Sequence, residues 1–470
     1  MLPIFSSFGP FVRQYIIVII ANLSLYTSGL GVGWNSPVIV KLQDENNPVY
    51  EKPITDNEAS LIVSLGLIGG ITANVVAAYL VDNLGRKKSI LLAAAPRIFC
   101  YTLSYFSVAP WMNYVARIVG GTGDGLSFCI VPMYASEIAS KEIRGALGTM
   151  FQIFSSLGIL TMLSVGPFLD YYTVNIVCIV LCVVTTIPML IIPDSPYFLH
   201  KQGNVEEAVN VLTFLRASES EVKEEVQEYE NDKGVTNMTF RELFKTSNLP
   251  ILKIVGIAVC IGVGSQITGY NAIAMFLQAI LVSTKTSVSP EIASVIIGVI
   301  QLLASFFTAS IIDRFGRKPI LSTSVIGISV GMIGLGTFFF KTSESDVVDG
   351  FWNYLPLVSI VIAVFSYSAG LGSLMFPLIA ELFDGRSRAL GMFFGVVSVF
   401  VATFILTLSF TSLANAIGAA YTYWFFGVNC LIFFVFIVLF VPETKGKTFA
   451  EIQVLLGVRP AESNKDVEKF

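Results

Sequence analysis

Four amide side chains, Gln152, Gln266, Asn271 and Gln301, lie inside apolar stretches of this chain, and Ser265 and Asn35 share that setting. An amide donates and accepts hydrogen bonds and carries no charge, so in nonpolar surroundings it suits a neutral, hydroxyl-bearing partner. Other chemistry has little material. The sole histidine is His200, and Cys100, Cys129, Cys178, Cys182, Cys260 and Cys430 sit in apolar segments without metal or redox spacing. No nucleophile–base set and no phosphate loop is present, which argues against an enzyme and implies no cofactor and no metal.

Charge is concentrated in a repeated element. D-N-L-G-R-K-K runs from Asp82 to Lys88, and D-R-F-G-R-K returns from Asp313 to Lys318. Each copy follows a long apolar segment and precedes another, the pattern of a duplicated membrane protein. Two further charges, Arg97 and Asp124, fall near the middle of consecutive apolar segments. Isolated charges there are expensive and paired ones tolerable, so these two are expected to form an ion pair between antiparallel helices. Arg117 is expected to hold backbone carbonyls.

The elements that must position these groups follow from composition. Of 470 residues, 54% are hydrophobic and only 13% charged; a soluble protein would carry nearly twice that charge. The net charge of -4 gives no nucleic-acid signal. Apolar runs of about 20 residues predict twelve spanning helices in an all-α membrane protein. Two six-helix bundles, 1–194 and 250–441, would flank a helical linker at 195–249 and precede a polar tail at 442–470. Periodicity at Ala208, Val211, Leu212 and Leu215 predicts short linker helices. Arg86, Lys87, Lys88, Lys141, Arg144, Arg314, Arg317, Lys318, Arg386 and Arg388 all fall in even-to-odd connections, which places those loops and both termini in the cytosol.

Further motifs stand at helix ends: R-I-V-G-G at 117–121, V-P-M-Y-A-S-E-I-A at 131–139, R-G-A-L-G at 144–148 and P-D-S-P at 193–196. Q-I-T-G-Y-N-A at 266–272, E-L-F at 381–383 and P-E-T-K-G at 442–446 complete the series. Over nearly its whole length the chain resembles the sugar porter branch of the major facilitator superfamily. Within that branch it is similar to insect facilitated trehalose transporter-like proteins and to facilitative glucose transporters.

The resemblance implies a sugar site at midplane between the halves, with Gln152 on helix five, Gln266 and Asn271 on helix seven and Gln301 on helix eight. Ser265 replaces a second glutamine, and Phe376 and Thr403 fall where relatives carry tryptophan and asparagine. Gly372–Ser373–Leu374–Met375–Phe376 lacks the family's two prolines, Val399 and Phe400 replace Asn-Trp, and Ser368 replaces a glutamate. The second half thus offers fewer polar contacts than a typical glucose site. Gly262, Gly264 and Gly269 predict a kinked or unwound helix seven, and Gly370, Gly372 and Pro377 the same for helix ten.

Asp82, Arg86, Lys87, Glu137 and Arg144, with Asp313, Arg317, Lys318, Glu381 and Arg388, are expected to form a salt-bridge latch at the cytosolic mouth that locks the halves while the outer side is open and breaks when the inner side opens. Asn35 stands where proton-coupled relatives tend to carry an aspartate, which implies uniport. The expectation is a monomeric facilitative carrier of a hexose or of a disaccharide such as trehalose, in the plasma membrane, with lipid and a small sugar as its partners. A polyol carrier on the same fold and a non-transporting sugar receptor are the alternatives.

Overall fold

The structure is a computed structural model that describes residues 7–45, 49–140, 142–232, 240–245, 249–342, 350–383, 387–445, 447 and 449–456. The side chains of Arg144, Asp313 and Arg388 lie outside what is described.

The first half comprises α1 (Pro10–Leu42), α2 (Asp56–Leu84), α3 (Arg86–Leu92) continued by α4 (Ala94–Tyr105), α5 (Pro110–Ile138), α6 (Arg144–Val165) and α7 (Tyr171–Thr186). Ten helical stretches in the chain are long and apolar enough to cross a membrane among the described residues. The α3–α4 pair and α5 complete the twelve; the first falls short because it is broken into helices of 7 and 12 residues, the second because Arg117 and Asp124 lower its hydropathy. Pro96, in the first turn of α4, has no N–H to return to Leu92, which accounts for the break between α3 and α4. At the start of α2, Thr55 accepts from the Glu58 N–H while the Glu58 carboxylate accepts from the Thr55 N–H, a reciprocal cap.

The linker folds as α8 (Pro196–Lys201), α9 (Val205–Leu215), α10 (Glu219–Asp232) and α11 (Phe240–Leu243). The periodicity seen in the sequence is real: Ala208, Val211, Leu212 and Leu215 are all buried. This layer is clamped to the first half. Gln14 donates to Leu215 O at 2.6 Å and accepts from Ser140 N at 2.7 Å. Arg216 pairs with both oxygens of Glu225 at 2.6 and 2.7 Å and donates to Ile138 O at 2.8 Å.

The second half comprises α12 (Leu249–Ile267), α13 (Tyr270–Met275), α14 (Leu277–Ser283), α15 (Pro290–Phe315), α16 (Arg317–Thr342), α17 (Phe351–Ser366), α18 (Gly372–Glu381), α19 (Arg388–Ile417) and α20 (Ala419–Phe440), and α21 (Phe449–Leu455) follows it. The seventh spanning segment breaks where its glycines predict. Gly269 holds φ 78°, a left-handed conformation that a side chain disfavours, and α12 stops there before α13 begins. The tenth segment departs from regular α-helix at Gly370, with Gly372 as the cap, two of its three predicted residues. It widens into a π-turn over Tyr367–Leu371 between α17 and α18. Ser324 holds that turn, donating to Ser366 O at 2.7 Å and accepting from Leu371 N at 3.0 Å.

The halves meet along two seams, α2 against α19 and α6 against α15. At the ends remote from the motif loops, polar side chains pin them together. Ser60 donates to Thr411 at 2.9 Å, Ser36 accepts from Gln278 N at 2.9 Å, and Asn415 donates to Asp56 at 3.4 Å.

Candidate substrate site

At the α12–α13 break, three of the predicted residues form one cluster. The Asn271 amide donates to Gln266 Oε1, the Gln266 amide donates to Ser265 Oγ at 2.8 Å, and Ser265 donates back to Gly262 O at 2.7 Å. Beside it, Tyr270 and Tyr367 stack with ring centroids 3.5 Å apart and planes 10° from parallel. This pair ties the broken helix to the π-turn. Neither tyrosine was singled out in the sequence, because an aromatic in an apolar run gives no signal of its own.

A second set joins the halves. The Gln152 amide donates to Ser156 Oγ at 3.4 Å, Ser156 and Ser305 share a hydrogen bond of 3.0 Å across the α6–α15 seam, and Ser305 donates to Gln301 O at 3.0 Å. Sequence reasoning found the glutamines and missed the serines. A membrane-helix serine usually satisfies its own backbone, so only the packing distinguishes these two.

The remaining predicted residues are placed separately. Asn35 is buried, its amide reaching Val32 O at 3.4 Å while its carbonyl oxygen has no partner. It lies inside α1, not at a helix end. Thr403 donates to Val399 O at 2.7 Å, one turn back on its own helix. Phe376 meets Phe151 edge to face at 5.8 Å, an aromatic contact between the halves on the motif-loop side of Gln152.

The two motif loops are built alike. Gly85 and Gly316 both hold φ 85°, turning the chain between two helices. Arg86 pairs with Glu137 at 2.8 Å, and Arg317 with Glu381 at 3.0 Å. Ser195 donates to Glu137, and Thr444 donates to Glu381 at 2.5 Å. Lys87 reaches Leu190 O at 2.9 Å, and Lys318 reaches Val438 O at 2.7 Å. Asp82 pairs with Lys201 of the linker at 2.8 Å. These pairs close within each half, and each glutamate ends the helix packed directly beside its own motif loop. The latch is expected to join the halves only while the opposite mouth is open, and here the ends remote from the motif loops are the ones pinned together. Among the described residues no ion pair spans the two halves.

Arg97 and Asp124 are brought together at 2.9 Å. The guanidinium is fully engaged: it also donates to Thr27 at 2.9 Å, Ser24 at 3.2 Å, Ser28 at 2.8 Å, Gly123 O at 2.6 Å and Ser127. Four hydroxyls and a carboxylate around one buried arginine supply what burial of the charge demands. Arg117 lies over the Trp34 ring at 5.1 Å and donates to Gly31 O at 3.3 Å, the carbonyl contact expected of it.

A family model described as Sugar (and other) transporter matches residues 17–456. A facilitated trehalose transporter of Polypedilum vanderplanki is 30% identical over 94% of this chain and 87% of its own length. One from Culex quinquefasciatus is 28% identical over 94% and 85%. One from Aedes aegypti is 28% identical over 94% of this chain, which spans only 54% of that protein. Among solved structures, a partially occluded inward-open xylose transporter XylE from E. coli superposes with TM-score 0.78 at 22% identity, over 93% of this chain and 100% of that one. The proton:xylose symporter XylE bound to 6-bromo-6-deoxy-D-glucose gives 0.76 at 21%, over 95% and 100%. The fold is that of the major facilitator superfamily, and the chain belongs to the Sugar (and other) transporter family.

Proposed function

We propose that this protein is a facilitative carrier of a hexose or of a disaccharide such as trehalose, working by alternating access in the plasma membrane with both termini in the cytosol. The observation that carries the reading is the chain Gln152–Ser156–Ser305, one neutral amide and two hydroxyls contributed by both halves at their seam, which ends on the backbone carbonyl of Gln301. Such groups match sugar hydroxyls and can exchange one partner for another without leaving a charge exposed to lipid. Gln266, Asn271 and Ser265 would face the same cargo from the second half, with Asn35, whose carbonyl oxygen is unpartnered, from the first. Phe376 and Thr403 complete the proposed set.

The moving bodies would be residues 1–194, with the linker, and 250–441. The pins at Ser36, Ser60 and Asp56 hold the outer ends together here, so the cycle requires them to part when the cytosolic ends close. The motif pairs would act by stiffening each half, so that a half rotates as a unit. Asn35 supports uniport, since an asparagine cannot take up and release a proton across the cycle. A polyol or another neutral solute is the second reading. It is favoured by Ser368 and Thr403, which stand where glucose-carrying relatives often have glutamate and asparagine.

The test is purified protein in liposomes, assayed for uptake of labelled glucose, fructose and trehalose with and without a proton gradient. Uptake that runs down the sugar gradient alone and is lost in Gln266→Ala supports the proposal. Uptake that collapses with an uncoupler overturns uniport, and binding without flux favours a receptor.

A further inference from the structure

Between α1, α5 and α6 lies a cavity of about 110 Å³, lined by Asn22, Pro132, Ala135, Ser136, Leu147, Gly148 and Phe151. It is separate from the glutamine cluster. Its α6 lining precedes Gln152, so it lies on the motif-loop side. Its far wall is Phe151, which touches Phe128 and, across the halves, Phe376 at 5.5 and 5.8 Å. Residues of two sequence motifs, 131–139 and 144–148, line it without being used in any contact described above.

Asn22 is 1% exposed. Its amide nitrogen donates to Val18 O at 2.8 Å, which fixes the orientation of the group. The carbonyl oxygen is buried and accepts nothing. A buried acceptor left empty costs about 1–3 kcal/mol, so a donor is missing from this site. Ser136, at the rim, spends its hydrogen on Met133 O at 2.7 Å and keeps its lone pairs. No charged residue lines the space, and the other walls are hydrocarbon or aromatic ring. One edge of a ligand that donates a hydroxyl, carries no charge and has an apolar face fits a space of this size, with the rest of the molecule outside it; a lipid tail offers no donor and a headgroup brings charge.

We infer that this cavity is a cytosol-facing waypoint for the carried sugar, in which Asn22 accepts one sugar hydroxyl and the face of Phe151 takes the ring. The inference rests on the transport reading above. A sugar that has left Gln152 would meet this site before open solvent, and it would meet it from the cytosolic side alone.

Gly148 supplies a clean perturbation, because a Cβ built there meets nothing within 4 Å. Gly148→Leu therefore adds bulk at the cavity wall with no clash at its Cβ, and Asn22→Leu removes the acceptor. In inside-out vesicles, cytosolic glucose or trehalose is expected to slow maleimide labelling of Ser136→Cys. Gly148→Leu or Asn22→Leu should abolish that protection, and Gln266→Ala should leave it in place. In flux assays the same two variants should raise the efflux KM by about 2- to 12-fold, the worth of one hydrogen bond, with the influx KM unchanged. Absence of protection, protection that disappears with Gln266→Ala, or equal shifts of influx and efflux KM overturns the waypoint. Failure of the wild-type protein to move any labelled sugar overturns the transport reading instead, and the labelling result is read independently of it.

Discussion

Glu443 does for the second half what Asp194 does for the first: each carboxylate accepts backbone N–H groups at the start of the helix that follows a motif glycine. Asp194 takes Arg86 N at 3.2 Å and Lys87 N at 3.3 Å, and Glu443 takes Arg317 N and Lys318 N at 3.0 Å each. A Cβ at Gly85 would come 2.6 Å from Asp194 Oδ2, and one at Gly316 would come 2.8 Å from Glu443 Oε2. The acid is thus seated against the bare glycine, in the positive field of a helix start.

Burial opposes ionisation of Glu443, but the N–H groups of Lys445, Arg317, Lys318 and Thr444 outweigh it and hold the carboxyl below its ordinary 4.5. A depressed folded-state pKa stabilises the protein above the unfolded value and loses that contribution as pH falls through the folded value. The expected outcome is an acid limb of thermal stability below about pH 4.5 that flattens in Glu443→Gln, which also costs about 1 kcal/mol near neutrality as a lost cap. Melting temperature followed in detergent from neutral to acid pH checks both.

The buried Arg97–Asp124 pair predicts a signed non-additivity. Arg97→Met or Asp124→Leu alone leaves an uncompensated charge and is expected to cost about 3–5 kcal/mol. The double replacement should recover most of that loss. Thermal melts of the three variants by size-exclusion fluorescence measure the coupling, and equal damage in single and double variants counts against the pair.

Ser60 and Thr411 meet hydroxyl to hydroxyl at 2.9 Å across the ends remote from the motif loops. Ser60→Cys with Thr411→Cys, oxidised, should hold the outer mouth shut and reduce liposome uptake by more than about tenfold, with recovery on reduction, since alternating access needs that contact to break. The wild-type protein under the same oxidant is the control.

The α2–α19 seam predicts a jam and its rescue. A Cβ at Gly70 would come 2.5 Å from Phe400 Cε1. Gly70→Val is therefore expected to slow uptake by about tenfold, and Phe400→Ala in the same chain to restore it. Rates in liposomes, corrected for protein content, decide the outcome.

What the sequence made legible was whatever lipid makes expensive. Arg97 and Asp124 stood out because single charges in apolar runs must find each other, and Gly269 because a helix seldom keeps so many glycines without a break. The duplicated loops announced themselves by repetition. Hidden were relationships carried by cheap groups. Ser156 and Ser305 read like any other helix serines, Tyr270 and Tyr367 like core aromatics, and Asn22 like one more polar residue in a long helix. The Arg86–Glu137 and Arg317–Glu381 pairs show which neighbour within each half takes the charge, a choice that sequence leaves open. The tenth helix was expected to bend around Gly370, Gly372 and Pro377; the change sits over Tyr367–Leu371, which holds Gly370, and Ser324 offers both a donor and an acceptor to the loosened backbone.

The bonds that hold the linker, from Gln14, Arg216 and Lys201, all end on the first half or within the linker itself. A dye attached to α9 therefore reports the position of that half and nothing else. Paired with a second dye on the loop that begins α16, it makes a ruler between the halves; under the proposed alternating-access cycle its length would swing out and back in each turnover, so single-molecule energy transfer would time that stroke without any labelled cargo.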